Sequence, residues 1–376
     1  MSDKTNNKKR QFMRIMSSVM SWTKDININI LVTLGLIFAI ELSLLIAFYI
    51  RDNYAQDSSI TIDIIGENRT NEVIGFNREL NAIIRDGEGF GFTYKAFIGW
   101  TSPDINGEYL NIKNGRRVTE LSSVIERNEI IHFFGGSSIW GHSVSDKNTI
   151  PSLVSKKLKI TTINYGEQAY NSRQGLNLLV DNIDIINSGD VVVFYNGVND
   201  VYNNCRSYNS PNGHEQEYFI KDKLSGNNTW LTKSSTYRFL QGLSARIFGK
   251  ENISRKGYVN SCTSFEYSEK VADFLINNWR AAEAIMSAKE INFICALMPN
   301  PYTFDGKVSY SQEELRAQIN AVYPLIIDKA KNLSCFKDYS AMIKVDNYVD
   351  SCCHVNEYGN REISNMLVPT ILNLLN

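Results

Sequence analysis

The stretch EIIHFFGGSSIWG, residues 129–141, sets the fold class of this chain. Its first half is a short apolar run, which is typical of a β-strand that is buried on both faces of a sheet. Glycines and serines end the run, and residues 150–158, IPSLVSKKL, follow as a helix with a proline in its first turn. The stretch therefore predicts the strand, turn and helix of an alternating α/β chain.

The same alternation continues to the end of the chain. The further predicted strands are TTINYG at 161–166, GDVVVFYNG at 189–197, INFICALMP at 291–299 and CFKDYS at 335–340. The further predicted helices cover residues 172–187, 266–288, 311–333 and 357–375. Apolar strands that alternate with helices indicate a parallel sheet with helices on both faces, a three-layer α/β/α fold. Such sheets bind ligands beyond the carboxyl ends of their strands.

The composition excludes several classes of protein. The 376 residues are 43% hydrophobic and 21% charged, as in an ordinary globular protein and unlike a disordered, collagen-like or multi-span membrane chain. Lysine and arginine number 39 against 40 acidic residues, which gives a net charge of −1. A basic surface for nucleic acid is therefore not expected.

The apolar segment ILVTLGLIFAIELSLLIAFYI, residues 30–50, contains one charged residue, Glu41. Its length matches a bilayer hydrocarbon core of roughly 30 Å. A buried helix of a soluble protein is usually shorter and amphipathic, and a cleaved signal peptide has a shorter apolar region. We therefore predict one transmembrane anchor, in which Glu41 either marks a partner or is tolerated by its apolar neighbours.

The charges that flank this segment predict its orientation. Residues 1–26 contain six lysines or arginines against two aspartates, whereas residues 51–70 contain two arginines against four acidic residues. The positive-inside rule then places the N-terminus in the cytoplasm and the chain after residue 50 in an extracytoplasmic space such as the periplasm. The predicted organisation is a tail at 1–29, the anchor at 30–50, a lead-in or stalk at 51–128, and an α/β domain at 129–376 with a polar insert at about 200–264.

The six cysteines agree with an extracytoplasmic location. Cys205 and Cys262 flank the insert, and a disulfide that closes it is expected. Cys295 lies in an apolar run and is expected to be a buried free thiol. Among the remaining three cysteines, Cys335 could form a disulfide with Cys352 or with Cys353. Cysteines and histidines at zinc-site spacing are absent from the sequence, so no metal is predicted.

Four segments with unusual residues stand at predicted strand ends or before the last helix. They are GGSSIWG at 135–141, NYG at 164–166, NGVND at 196–200 and DSCCHVNEYGN at 350–360. A serine in a glycine turn, an asparagine amide and an acid–imidazole pair are groups that nucleophilic catalysis uses. Each segment alone also fits a plainer interpretation, as a glycine turn, an Asx turn, or a surface carboxylate with a capping histidine.

Taken in order, these segments resemble the four blocks of the SGNH (GDSL-like) hydrolase superfamily. Those blocks are a GDS-type serine turn, a glycine after strand two, a G-x-N-D segment and a D-x-x-H segment before the last helix. The resemblance covers roughly residues 129–376 and implies a flavodoxin-like α/β/α fold. The segment before residue 129 also loosely resembles the lead-in of membrane-anchored bacterial members.

The resemblance implies a role for five residues. It makes Ser137 the nucleophile, His354 the general base and then the general acid, and Asp350 the residue that orients His354. The backbone N–H groups of Ser137 and Gly166 and the side chain of Asn199 would form the oxyanion hole. Neither a cofactor nor a metal is implied.

The sequence departs from the superfamily pattern in two places. Gly136 stands where the GDS block has its aspartate, which is not part of the catalytic machinery. Asp350 precedes His354 by four residues rather than three, and Ser351 takes the usual position. Either the turn absorbs one extra residue or another group orients the imidazole.

Three other histidines are alternative bases, and none fits as well. His142 follows Ser137 by five residues, which would place it past a full helical turn on a different face. His132 lies inside the first strand, and His214 lies in the insert, where a surface position is expected.

The predicted chemistry is acyl transfer through Ser137 on a small-molecule or glycan ester. Release of the acyl group to water makes an esterase, and release to a sugar hydroxyl makes an O-acyltransferase with the same residues. An anchored, outward-facing domain favours O-acetyl esters of a cell-envelope glycan, with lipids or thioesters as alternatives. A different class is a non-catalytic anchored scaffold that binds a glycan or a protein.

Four aromatic residues near the site are expected in the core or, alternatively, stacked on a sugar: Trp140, Tyr165, Tyr170 and Tyr195.

Overall fold

The computed structural model describes two compact units of the chain. The first unit comprises Met1–Ile60 and Lys221–Lys256, and the second comprises Thr61–Ile220 and Gly257–Asn376. The described residues are 2–55, 91–206, 214, 234–237, 239–240, 243, 261–303 and 312–376. Most of the predicted insert and residues 56–90 of the predicted lead-in lie outside these ranges.

The first unit contains one long helix, α1, at Ser2–Ala55. Its 22 residues Asn29–Ile50 have a mean hydropathy of 2.6, so this part of the helix is long and apolar enough to cross a membrane. The Glu41 carboxylate within it accepts hydrogen bonds from the backbone N–H groups of Ser235 and Thr236, the latter at 2.9 Å. The one acidic residue of the segment therefore has polar partners within the chain.

The first five residues of the predicted lead-in belong to α1, and its described residues from 91 onward contain two small antiparallel sheets in the second unit. The first sheet has strands β1 (Thr93–Lys95) and β2 (Gly99–Thr101), and the second has β3 (Ile105–Asn106), β4 (Asn111–Lys113) and β5 (Arg116–Arg117). These strands hydrogen-bond to the α/β part of the same unit. The Trp100 indole N–H donates to the backbone carbonyl of Gln168 at 3.0 Å.

The central sheet has five parallel strands among the described residues. They are β6 (Ile130–Gly135), β7 (Thr161–Asn164), β8 (Val191–Asn196), β9 (Asn292–Leu297) and β10 (Phe336–Asp338). Their spatial order is β10-β9-β8-β6-β7, which is the flavodoxin-like order 2-1-3-4-5 counted along the chain. All six residues of β8 are buried, as expected for a central strand that helices cover on both faces.

Helices cover both faces of this sheet. They are α2 (Ser137–Trp140), α3 (Ile150–Leu158), α4 (Ser172–Asp181), α5 (Val198–Asn204), α6 (Phe265–Ala288), α7 (Glu313–Ala330) and α8 (Glu357–Leu375). Helix α3 packs against α8, whereas α6 packs against α4 and α7. Connections between parallel strands are right-handed as a rule, which with this strand order puts these two groups on opposite faces. The predicted three-layer α/β/α fold is therefore confirmed, with strands and helices close to their predicted bounds.

Two disulfides cross-link the second unit. Cys205 is bonded to Cys262, as the sequence predicts. Cys295 is bonded to Cys335, so the predictions that Cys295 is a free thiol and that Cys335 pairs with Cys352 or Cys353 are wrong. The reason is sheet register: β10 lies beside β9, and the backbone N–H of Cys295 donates to the carbonyl of Cys335 at 2.9 Å, which brings the two side chains together.

Candidate active site

The serine turn lies where strand β6 meets helix α2. Gly135 ends the strand, Gly136 is the N-cap in an extended conformation, and Ser137 begins the helix. Ser137 is 5% exposed at the carboxyl edge of the sheet. The local sequence suits this arrangement because neighbouring atoms approach the turn closely: a Cβ atom at Gly135 would lie 2.7 Å from the Tyr195 carbonyl oxygen.

The serine hydroxyl contacts an imidazole, and that imidazole contacts a carboxylate. The Nε2 atom of His354 lies 2.6 Å from the Ser137 Oγ atom, and the two residues are 217 positions apart. The Nδ1 atom of His354 is hydrogen-bonded to the Asp350 Oδ2 atom. The structure therefore brings together the three residues to which the resemblance gives catalytic roles. A neutral His354 with its proton on Nδ1 would present Nε2 as an acceptor to the Ser137 hydroxyl.

The charges of the Asp350–His354 pair support one another. Burial opposes a charge on His354, but the Asp350 carboxylate outweighs it and raises the pKa of His354 to about 9. Burial also works to raise the pKa of Asp350, but the charge and hydrogen bond of His354 hold that pKa below its usual range. Asp350 is therefore ionised at neutral pH, and its charge favours the imidazolium form of His354.

The four-residue spacing of this pair is absorbed by a turn around the carboxylate. The Asp350 Oδ1 atom accepts backbone N–H groups of Cys352 at 2.9 Å, Cys353 at 3.0 Å and His354 at 3.2 Å. The carbonyl of Ser351, the residue at the usual position, accepts a hydrogen bond from the Tyr302 hydroxyl. One carboxylate oxygen thus holds the turn and the other holds the imidazole.

The Asn199 side chain lies directly beside the serine turn. Its amide N–H₂ donates to the Tyr170 carbonyl at 2.9 Å, which leaves one N–H for another acceptor. A Cβ atom at Gly136 would lie 2.3 Å from the Asn199 Nδ2 atom. A side chain at position 136 would therefore have to displace the Asn199 amide.

Gly166 is close to the serine turn but already has a hydrogen-bond partner. Its N–H donates to the Asn164 Oδ1 atom at 2.8 Å, while the Asn164 amide donates to the Ile139 carbonyl at 2.8 Å. A Cβ atom at Gly166 would lie 2.4 Å from the Trp140 backbone nitrogen, so only glycine fits. The predicted oxyanion role of Gly166 remains a prediction, and it requires that the N–H be shared with Asn164.

His142 lies beside the imidazole of His354, so the prediction that it occupies a different face is wrong. The two ring centroids are 4.1 Å apart with an interplanar angle of 33°. The Nδ1 atom of His142 lies 3.4 Å from the Gln168 Nε2 atom. The left-handed conformation of Gly141 turns the chain back after α2 and carries His142 over the site.

The remaining histidines lie away from this contact. His132 is fully buried in β6, with its Nε2 atom 3.2 Å from the Asp190 Oδ2 atom. His214 is 5% exposed and its Nε2 atom lies 2.8 Å from the Ala169 carbonyl oxygen, so the predicted surface position is wrong. The contact with the Ala169 carbonyl, which follows strand β7, keeps this histidine buried within the second unit.

The four aromatic residues near the site are buried and belong to the core. Their exposed fractions are 6% for Trp140, 2% for Tyr165, 2% for Tyr170 and 1% for Tyr195. Of the two interpretations that the sequence leaves open, packing rather than stacking on a sugar fits these values.

One buried side chain beside the C-terminal end of α2 was not predicted from the sequence. Arg117, at the end of β5, is fully buried and pairs with the Asp146 carboxylate at 2.5 Å. Its guanidinium also donates to the Val144 carbonyl at 2.9 Å and lies 4.7 Å from the centroid of the Trp140 ring. Arginine presents several donors in a fixed fork, so this one side chain binds the carbonyls of both Gly141 and Val144 in the turn after α2.

One group of metal-capable side chains occurs among the described residues. His142, Asp350 and His354 each offer one atom that could bind a metal, and these three atoms lie within 4.8 Å of one another. Both ring nitrogens of His354 are already within hydrogen-bond distance of Ser137 and Asp350. A metal would have to displace the contacts that give the site its nucleophile geometry.

Comparison with known proteins finds similar folds only among solved structures. Neither a family model nor a curated protein matches the chain. A carbohydrate acetylesterase family member from Sinorhizobium meliloti is 15% identical, with a TM-score of 0.36, over 66% of this chain and 99% of that one. A putative G-D-S-L lipolytic protein from Desulfitobacterium hafniense is 13% identical, with a TM-score of 0.37, over 64% of this chain and 99% of that one. The aryl esterase of M. smegmatis is 13% identical, with a TM-score of 0.36, over 65% of this chain and 99% of that one.

Proposed function

We propose that this chain is a membrane-anchored serine esterase of the SGNH type, which removes O-acyl groups, acetyl above all, from a cell-envelope glycan. One observation carries the proposal: Ser137 Oγ lies 2.6 Å from His354 Nε2, and Asp350 holds the other nitrogen of that ring. A hydroxyl, a base and a carboxylate in series form the arrangement that activates a serine for attack on an ester.

The proposed reaction has two halves. In the first, the Ser137 Oγ atom attacks the ester carbonyl while His354 Nε2 takes the hydroxyl proton and then gives it to the leaving alcohol. The oxyanion of the tetrahedral intermediate accepts hydrogen bonds from the Ser137 and Gly166 N–H groups and the free N–H of Asn199. In the second half, His354 deprotonates a water molecule that attacks the acyl-enzyme, and it gives that proton to the Ser137 Oγ atom as the Oγ–acyl bond breaks and the acid is released.

The N-terminal segment supports the proposed substrate class. An anchor at Asn29–Ile50, with its basic flank in the cytoplasm, would put the second unit outside the cell membrane. The disulfides Cys205–Cys262 and Cys295–Cys335 fit that oxidising location. An enzyme tethered there meets the glycans of the envelope, and O-acetyl groups are esters that such glycans carry.

Labelling with a fluorophosphonate tests the nucleophile. The folded chain should be labelled at Ser137, and Ser137→Ala should abolish labelling. Ser138→Ala is the matched control because it removes the neighbouring hydroxyl and leaves the His354 contact intact. A folded chain that is never labelled, or that is labelled equally in Ser137→Ala, would contradict the proposal and favour a non-catalytic scaffold.

Acetate release tests the substrate class. O-acetylated envelope polysaccharides should lose acetate in the presence of the wild type and not in the presence of Ser137→Ala. If Ser137 is labelled but acetyl groups move to an added glycan instead of water, the chain is an O-acyltransferase. If it is labelled but neither reaction occurs, the glycan assignment fails while the nucleophile assignment stands.

A further inference from the structure

Two adjacent cysteines lie inside the turn between Asp350 and His354. The Sγ atoms of Cys352 and Cys353 are 2.7 Å apart, and both thiols are free. Cys353 is 4% exposed, whereas Cys352 is half-buried. The other four cysteines of the chain are bonded in two pairs. The two unbonded thiols of the chain are therefore also next to each other and within the candidate active site.

We infer that Cys352 and Cys353 are a redox modification site that forms a disulfide between neighbouring residues. A disulfide has an S–S distance of about 2.05 Å, so the two sulfur atoms need to approach by only roughly 0.65 Å. This approach starts from the conformation in which His354 contacts Ser137 and Asp350. Consecutive Cα atoms lie about 3.8 Å apart across a trans peptide bond, less than the usual 4.4–6.8 Å of a disulfide, so the backbone of this turn must adjust when the bond forms.

The reaction requires an external disulfide, RSSR, such as oxidised glutathione or an oxidised dithiol protein. The Cys352 thiolate, the more exposed of the two, attacks one sulfur of RSSR and releases one RS⁻. The Cys353 thiol then loses its proton as its sulfur attacks the Cys352 sulfur of this mixed disulfide, and the second RS⁻ is released. The two cysteines lose two electrons to RSSR, and their two protons end on the two released thiols.

The cross-link would stiffen the turn that carries the base. The Asp350 Oδ1 atom binds the backbone N–H groups of both cysteines and of His354, so the cysteines are two of the three residues that enclose the carboxylate. A bond between their side chains limits the backbone torsions of this turn. We expect the oxidised form to hold His354 in place better than the dithiol form does. This expectation rests on the proposed function, whereas the cross-link itself does not.

Peptide mapping tests the cross-link without any assay of activity. The full-length chain is extracted in detergent with iodoacetamide present, digested without reductant and analysed by mass spectrometry. We expect the peptide with Cys352 and Cys353 to carry no alkyl group and to weigh two hydrogens less than its reduced form. Cys205–Cys262 in the same sample is the internal control for oxidation. Alkylation of both thiols in molecules that retain this control disulfide, or a bond from either cysteine to another peptide, would overturn the inference.

A double-mutant cycle tests the effect on the base. Cys352→Ala, Cys353→Ala and the double variant are compared in the rate of fluorophosphonate labelling under non-reducing conditions. If the disulfide acts as a unit, each single variant lowers the rate several-fold and the double variant lowers it no further. Effects that add up would show that the two side chains act separately and would overturn the proposed role in positioning His354. Absence of labelling in the wild type would instead reject the proposed function and leave the mapped cross-link untouched.

Discussion

The two sides of the candidate site are built in different ways. The nucleophile side is fixed by contacts distant in sequence: Asn164 binds the Ile139 carbonyl and Arg117 binds the Val144 carbonyl. The base side is fixed mostly by its own turn, in which Asp350 binds successive N–H groups and the Val349 N–H donates to the His354 carbonyl at 2.9 Å. Ser137 is therefore held mainly by contacts distant in sequence, whereas His354 is held mainly by contacts within its own turn.

The largest expected effect comes from breaking the base side. Asp350→Asn keeps the size of the side chain but removes the charge and favours the wrong tautomer of His354. We expect kcat for an aryl ester to fall on the order of 10⁴-fold with the fold retained. Near-normal turnover in a variant whose circular dichroism matches the wild type would move the orienting role to another group.

A smaller loss should follow from displacing Asn199 on the nucleophile side. Gly136→Ala puts a methyl group 2.3 Å from the Asn199 Nδ2 atom, so the amide must move. Loss of one oxyanion donor costs about 2.7–4 kcal/mol of transition-state stabilisation, or 10²–10³-fold in kcat. Steady-state kinetics should show the loss in kcat rather than in KM, and the combination with Asn199→Ala should add little. Additive losses would show that the methyl group acts elsewhere.

Removing the support of α2 should affect stability more than chemistry. Arg117→Met leaves the Asp146 carboxylate without its buried cationic partner, for which we expect a loss of about 3–5 kcal/mol in the free energy of unfolding. Denaturant titration measures this loss, and the surviving folded fraction should still be labelled at Ser137. A variant as stable as the wild type would show that the pair does not hold the turn.

The pH dependence of activity should report the charge of Asp350. Turnover needs neutral His354, and the pKa of His354 is raised to about 9, so kcat/KM should increase with pH along a limb above the usual histidine range. In Asp350→Asn the carboxylate no longer raises the pKa of His354, so the rise of the residual kcat/KM with pH should occur at a pH lower by roughly 1–3 units. An unmoved limb would mean that another group controls the titration.

The smallest expected effect concerns a buried carboxylate that joins the lead-in to the site. Burial outweighs hydrogen bonds from Ser102 and Gln168 and raises the pKa of Glu167 from 4.5 to about 7. The folded chain thus keeps a proton that the unfolded chain loses. The contribution of Glu167 to stability is full below about pH 4.5 and is lost as the pH rises through about 7. Compared with Glu167→Gln, the wild type should lose at most about 1.4 kcal/mol per pH unit in this window, and equal slopes would contradict the assignment.

Local patterns predicted the fold and most of the candidate site. Continuous apolar runs mark buried strands, and β8, predicted at 189–197, extends over Val191–Asn196. The site residues follow strand ends, and parallel strands bring their carboxyl ends to one edge, so the meeting of Ser137 with Asn199 follows from topology.

The contacts that the sequence did not predict depend on register or on long loops. Cys295 bonds Cys335 because β9 and β10 are neighbours, a fact that no spacing encodes. His142 reaches His354 because Gly141 reverses the chain, and Arg117 reaches Asp146 from a separate small sheet. None of these side chains shows a period or motif that would have pointed to its partner.

Trapping of the acyl-enzyme tests the central claim most directly. The full-length chain is mixed briefly with an activated acetyl ester, quenched in acid and digested, and the peptide that contains Ser137 is weighed. We predict an acetyl group on Ser137 that appears faster than steady-state turnover, persists in Ser138→Ala and is absent from Ser137→Ala. An acetyl group on any other residue, or hydrolysis of the ester with Ser137 never modified, would contradict the account.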